Sequence, residues 1–371
     1  MRTGKIKILR KDTQMSKVKY GLIGFGGIAE NRVAKEGFAC DKARFAPLRK
    51  AELVAATDIN QGRKAAAEAL GLKWYATADE MLADKEIQAV YIATNNTTHV
   101  PLAVKALNAG KHVISEKPMA TNSKDAEMLV KLAKEKGLSL AVDHMMVYNA
   151  WNVKAEELVK KGELGNVNDS CFHMEFAYGY DPAEAATWRC SKIEEMGGPI
   201  GDVASHCFYL AEYIFGKKIT KLAAVYLPKI MPIVAEDGAY IKFFFEDGMQ
   251  SSAKVAFSEL RGGLGGTLSN LGYEIYGDRA ALRGYGTMFQ LSGHKDEPVK
   301  IRLELDKFDG TTASVPAGEI KNIYQCLIEH HAQSVLDGKP LDAGDALHNI
   351  LLCEAAHASA QNNGKVMEIA K

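Results

Sequence analysis

Val18-Lys19-Tyr20-Gly21-Leu22-Ile23-Gly24-Phe25-Gly26-Gly27-Ile28-Ala29 decides the fold of this chain. Six residues of strand character run straight into G-x-G-x-x-A, and the pattern continues as a helix toward Lys35. That is the strand–turn–helix context in which glycines have separate jobs: the first makes the tight turn, the second lets backbone approach a pyrophosphate, and a small third residue lets helix pack on strand. The helix N-terminus then presents free N–H groups and a positive dipole end to phosphate. A dinucleotide is therefore expected at Gly24, Phe25, Gly26, Gly27 and Ile28.

The next strand, over 53–58, ends in Asp58. An acid there accepts hydrogen bonds from the adenosine ribose of NAD, and it can also cap the helix expected over 61–70. Asp58 lies 29 residues beyond Ala29, where about 20 is usual. The excess is the mixed-charge segment 37–50, read as an inserted loop or short extra helix. Strands over 88–93, 112–115 and 138–142 alternate with helices over 100–108 and 122–135, which implies a parallel, doubly wound sheet.

The strand at His112-Val113-Ile114-Ser115 breaks into Glu116-Lys117-Pro118. Proline lacks an N–H and holds the preceding residue extended, so no helix follows directly. A charged pair is thereby set at the carboxyl end of an apolar strand, where open α/β sheets bind ligands. Burial of Lys117 in such a crevice would favour its neutral amine.

After about residue 145 the pattern changes. A helix over 147–161 is followed by strand-like runs at 167–178, 219–226, 239–245, 250–257, 271–276 and 300–304, with short turns such as Glu246-Asp247-Gly248; this reads as an antiparallel sheet. A helix over 199–215 interrupts it, and helices over 319–336 and 343–361 close the chain. Gly197-Gly198-Pro199 marks the entry to the interrupting helix, and Asp202 and His206 stand four apart on one of its faces. An acid beside an imidazole fixes its tautomer and raises its basicity, the arrangement of a proton relay. A metal reading needs a third ligand; His173, His330 and His331 qualify only by residue type, so no metal is expected.

The 371 residues, 47% hydrophobic and 25% charged with a net charge of zero, describe two globular domains. Residues 1–16 read as a disordered extension (Met15 being an alternative start), 17–145 as the dinucleotide-binding domain, and 146–371 as a substrate-binding and oligomerisation domain. Neutrality gives no basis for a nucleic-acid or anionic-membrane partner. No apolar run reaches the roughly 18 residues of a membrane span, and the basic N-terminus has no apolar core to make a signal peptide. Six scattered cysteines without CxxC spacing read as reduced thiols of a cytoplasmic protein.

These residues carry a resemblance. The glycine loop, Asp58, Ala93-Thr94-Asn95 with His99, Gly110 through Glu116-Lys117-Pro118, Gly197-Gly198 with Asp202 and His206, and Ala355, Ser359 and Gly364-Lys365-Val366 together resemble the Gfo/Idh/MocA oxidoreductases, the glucose–fructose oxidoreductase and inositol dehydrogenase group. The resemblance implies a Rossmann domain followed by an α+β domain whose large, mostly antiparallel open sheet commonly forms the oligomer interface, hence a homodimer or homotetramer. It implies that Lys117, Asp202 and His206 contact the hydroxyl being oxidised. It extends the NAD contacts to Thr94, Asn95, His99, Glu116 and Lys117, and adds Tyr148 and Asn149 to Lys117, Asp202 and His206 as contacts to a carbohydrate or polyol substrate. The chain departs from its relatives in segment 37–50, in Ala150 where many carry arginine, and in Pro199 where many carry glycine. The expected activity is an NAD-dependent dehydrogenase of a sugar, glycoside or cyclitol. A hydrolase that keeps NAD and oxidises transiently, and a non-catalytic NAD-binding sensor, are the alternatives.

Overall fold

In the computed structural model, which describes residues 17–259, 270–288 and 301–370, the chain builds two sheets. The expected N-terminal extension and Lys300 of the strand expected at 300–304 lie outside the described residues.

The first sheet has strands β1 (Val18–Ile23), β2 (Ala51–Thr57), β3 (Lys73–Trp74), β4 (Ala89–Ile92), β5 (His112–Ser115) and β6 (Leu140–Val142), all parallel, in the order β3-β2-β1-β4-β5-β6. Every residue of β4 and β6 is buried, as strands covered on both faces must be. The order reverses between β1 and β4. That switch point opens a crevice beyond the strands' carboxyl ends.

The second sheet runs β14-β13-β12-β11-β7-β10-β9-β8-β15. Its members are β7 (Val167–Glu175), β8 (Ile219–Tyr226), β9 (Gly238–Phe245), β10 (Gln250–Ala256), β11 (Leu271–Gly277), β12 (Ala280–Tyr285), β13 (Arg302–Lys307), β14 (Thr312–Val315) and β15 (Met367–Glu368). All its ladders are antiparallel except β7 with β10. Alternation separates its faces. Phe172, Ile241, Phe243, Val255, Tyr273 and Leu282 point inward and are buried, beneath the helices Ala150–Lys160, Ser205–Phe215 and Gly344–Gln361. Phe208 meets Phe243 at 5.8 Å and Phe215 meets Phe245 at 5.3 Å between ring centres; burying each such ring contributes roughly 1.5–3 kcal/mol. The opposite face carries Cys171, His173, Lys254 and Glu274, with Val225 and Tyr240 more than half exposed.

The chain then returns to the first sheet. Helix Ile323–Leu336 packs on β1, β2 and the π-helical segment Ala29–Gly37, and the fully buried Tyr20 hydroxyl lies 2.6 Å from His331 Nδ1. Burial pushes the His331 pKa down to about 3, so the ring is neutral there.

The expected elements differ mainly at their ends. The strand expected over 167–178 stops at Glu175, and the helix over 199–215 is a π-helical turn, Ile200–Ala204, continued by α-helix. The helix expected over 319–336 begins only at Ile323, capped by Asn322. The short strands β3, β12, β14 and β15 and the helix Ala78–Ala83 were not foreseen. Segment 37–50 holds turns but no further helix once Ala29–Gly37 ends. Among the described residues no helix is long and apolar enough to cross a membrane, and all six cysteines are unpaired thiols.

Candidate active site

The glycine loop sits at the switch point. Gly24 has φ +92°, and a Cβ there would lie 2.3 Å from the Ala93 carbonyl oxygen at the end of β4. Only glycine permits both that φ and that approach. At Gly26 and Gly27, by contrast, a Cβ would meet nothing within 4 Å. Both line a cleft of about 1570 Å³, larger than the roughly 300–1,000 Å³ of an ordinary ligand pocket. Backbone N–H groups at a helix start beside open space are what a pyrophosphate needs.

Asp58 closes one end of the cleft. Its Oδ2 accepts the Phe25 N–H at 2.6 Å and its Oδ1 the Asn60 N–H at 2.7 Å. The carboxylate is therefore tied to the glycine loop. Asn60, not Asp58, caps the next helical turn, accepting from Gly62 N–H. Thr94, Asn95, Glu116 and Lys117 line the cleft's middle; Trp188, Arg189, Asp202 and His206 line its far end.

Lys117 crosses the cleft to Asp202. Its Nζ donates to the Asp202 backbone oxygen and to Oδ1, each at 2.7 Å, with the two side chains only 11% and 7% exposed. The other carboxylate oxygen accepts from Arg189 Nε at 3.1 Å. Burial alone would raise the Asp202 pKa; Lys117 and then Arg189 overcome it and hold the carboxyl well below its ordinary range. Arg189, stacked over Trp188 at 4.6 Å, was not foreseen. The Thr187-Trp188-Arg189 run carries no periodic or glycine signal, and only the fold brings it to Asp202.

His206 is buried, and its Nδ1 lies 2.7 Å from the Tyr209 hydroxyl. Asp202 does not orient this ring, as the i, i+4 spacing led one to expect. Its carboxylate is spent on two cations, and the π-helical turn alters the spacing that brings i and i+4 together. Tyr209, stacked in turn on His144 at 4.3 Å, takes that place. Burial, then the Lys117 charge, lowers the His206 pKa well below 6.5. The ring is therefore neutral, and when Nδ1–H donates to Tyr209 the Nε2 lone pair is free.

Beneath Lys117, the Tyr91 hydroxyl lies 2.9 Å from Asp143 and 3.3 Å from Glu116. Burial, reinforced by Glu116, pushes the Asp143 pKa well up. Burial pushes Glu116 up as well, so the pair as a whole resists carrying two negative charges.

Four expected ligands play other parts. Phe25 is fully buried, is not among the cleft residues and gives its N–H to Asp58. His99 borders the cleft but is fully buried, with its nitrogens 2.8 Å from the Pro118 and 3.1 Å from the Thr94 carbonyl oxygens; burial lowers its pKa, and the neutral ring donates to one of the two. Tyr148 and Asn149 are not among the cleft residues. The Tyr148 hydroxyl bonds His330, and Asn149 caps helix Ala150–Lys160. Of the histidines considered for a metal, His330 and His331 bond tyrosines, and His173 lies on the outer face of the second sheet.

Two family profiles match the chain: "Oxidoreductase family, NAD-binding Rossmann fold" over residues 18–144 and "GFO/IDH/MocA C-terminal domain" over 152–283. The chain belongs to the Gfo/Idh/MocA oxidoreductases. As a member it has an NAD-binding Rossmann sheet followed by the family's mostly antiparallel sheet. It is 26% identical to 1,5-anhydro-D-fructose reductase of Ensifer adhaerens over 216 residues, 58% of this chain and 62% of that one. It is 24% identical to scyllo-inositol 2-dehydrogenase (NADP(+)) of Bacillus subtilis over 304 residues, 78% and 81% of the two chains. Matches to the first curated relatives span about half to three fifths of their length. In fold it is similar to the aldose–aldose oxidoreductase of Caulobacter crescentus complexed with glycerol, with TM-score 0.81 and 22% identity over 95% of this chain and 100% of that one.

Arg189→Ala is expected to lower turnover about 10- to 100-fold, the loss of one charged hydrogen bond worth ~1.5–3 kcal/mol, while dinucleotide affinity is unchanged. Arg189→Lys should recover part of it. Steady-state kinetics with cofactor titration checks this; unchanged turnover in Arg189→Ala would refute the role.

Proposed function

We propose that this protein is an NAD-dependent dehydrogenase that oxidises a hydroxyl carbon of a sugar, glycoside or cyclitol. The observation that carries the reading is the meeting of Lys117, Asp202, Arg189 and His206 at one end of a cleft whose other end is the glycine loop and Asp58. At about 1570 Å³ the cleft has room for a dinucleotide and a second small molecule. Curated relatives named for acting on an anhydro-sugar and an inositol support the substrate class.

The glycine loop and Asp58 fit NAD, which when bound supplies the hydride acceptor. The chain's own residues handle the proton. Lys117 reaches the substrate hydroxyl from the first sheet and His206 from the second. His206, neutral by burial, is ready to take the hydroxyl proton at Nε2. Asp202 and Arg189 hold the Lys117 amine in place and offer charged hydrogen-bond partners to neighbouring hydroxyls. Trp188 and Phe176 wall that end with aromatic surface, which excludes water and strengthens each of these contacts. A panel of free sugars, inositols and aryl glycosides with NAD tests the activity: net reduced cofactor is expected. Aglycone release without net reduction would replace this reading with that of a hydrolase, and no turnover of any kind would favour a sensor.

Asp58 should repel the 2′-phosphate of NADP, and Ile59 and Asn60 after it offer no cation. The unmodified enzyme is expected to have the higher kcat/KM with NAD, and Asp58→Ala to narrow the difference. Equal or better turnover with NADP would contradict this.

Lys117→Ala and His206→Ala should each lose about 10²–10⁴ in turnover, the usual worth of general acid–base help, with NAD affinity retained. Lys117→Arg should fail as well, since a longer, planar guanidinium does not reproduce the single ammonium that bonds both the Asp202 carbonyl oxygen and Oδ1. The His206 shift is downward, so the ring is already neutral at its ordinary pKa of 6.5; the acid limb of the oxidation rate that it controls should fall below that pH. Near-normal turnover in both alanine variants would sink the assignment.

The uncovered face of the second sheet exposes Val225 and Tyr240, apolar surface of the kind a second subunit covers. A homodimer or homotetramer is expected; a monomer mass by light scattering at micromolar concentration would contradict it.

A further inference from the structure

We propose that Cys171, His173 and Glu274 form a zinc site on the outer face of the second sheet, apart from the cleft. Strand register assembles it. Glu274 of β11 stands directly opposite Cys171 of β7, and His173 follows Cys171 by two residues on the same face. One sulfur, one ring nitrogen and one carboxylate oxygen thus lie within 4.8 Å of one another. His173 Nε2 and Glu274 Oε1 are 3.5 Å apart. The edge of a zinc tetrahedron with bonds of ~2.0–2.3 Å is roughly 3.3–3.8 Å, so these two atoms already stand at ligand spacing.

The orientation of each donor points the same way. His173 Nδ1 faces Glu175 Oε1 at 3.3 Å. A carboxylate there holds the hydrogen on Nδ1 and leaves the Nε2 lone pair for a metal, the arrangement that supports metal-bound histidines. Nε2 is buried with no hydrogen-bond partner. Glu274 Oε2 accepts the Tyr276 hydroxyl at 2.6 Å, which leaves Oε1 turned toward the ring. Of the charged groups around it, Lys254 lies 3.8 Å from Glu175 and is bonded to Glu259 at 2.9 Å, and Arg283, opposite Glu274, is paired with Asp306. A mixed sulfur, nitrogen and oxygen set suits zinc better than magnesium or calcium. Binding displaces the protons of the thiol and the imidazole, and water completes the tetrahedron.

The test uses the full chain stripped with a chelator and dialysed against Zn²⁺ or Co²⁺. The expected result is one zinc per chain by metal analysis and, with Co²⁺, a thiolate-to-cobalt charge-transfer band. Cys171→Ser should abolish the band, His173→Gln should weaken zinc binding by more than about 100-fold, and Glu175→Gln should weaken it about 10- to 100-fold. Cys326→Ser, a half-buried thiol elsewhere, should change nothing. Absence of stoichiometric zinc, or a charge-transfer band that survives in Cys171→Ser, would overturn the proposal. The spectrum of the unmodified chain decides the matter even where a variant folds poorly.

Discussion

Lys117 and Asp202 meet at 2.7 Å with nearly all of both side chains out of water. Removing one partner of such a buried pair commonly costs about 3–5 kcal/mol, because the other charge is left uncompensated. The constraint is therefore strong, and it joins two distant parts of the chain: the end of β5 in the first sheet and the π-helical turn Ile200–Ala204 beneath the second. Arg189 fixes the carboxylate from the other side. The aromatic wall, the neutral His206 and the open cleft are all arranged around this one contact.

The same contact sorts the protonation states. Asp202 stays ionised because two cations touch it, while His206 stays neutral because it is buried with Lys117 close by. Environments that push neighbouring groups apart in this way mark acid–base assignments. Below them burial pushes both Glu116 and Asp143 toward the protonated form. At the far end the steric limit is different in kind: Gly24 can approach Ala93 only without a Cβ. One end of the cleft is fixed by backbone and the other by charge.

The parallel sheet was legible because its signals are local. Val18 to Ala29 shows strand, turn and helix in order, and the alternation of strand and helix repeats. Asp58, Lys117 and His206 could be read because each sits beside a local landmark: a strand end, a proline, a glycine turn. Arg189 and Tyr209 could not, since what matters is whom they touch. The place of Asp202 in the cleft was legible but its partners were not, because an i, i+4 rule assumes α-helical winding and ignores competing cations. Tyr148 and Asn149 failed for a related reason: a resemblance in the motif does not say which way a side chain turns, and here His330 and a helix start claim them. Short edge strands such as β14 and β15 carry too few residues for a period to show.

Whether Asp202 acts through Lys117 is measured directly by a double-mutant cycle on kcat/KM. Lys117→Ala, Asp202→Ala and the double variant would be compared with the unmodified enzyme on one oxidised substrate. If the two residues work as a unit, the double variant should be scarcely worse than the poorer single one. Losses that simply multiply would show that Lys117 and Asp202 act independently, and the ion pair would then be a structural contact only.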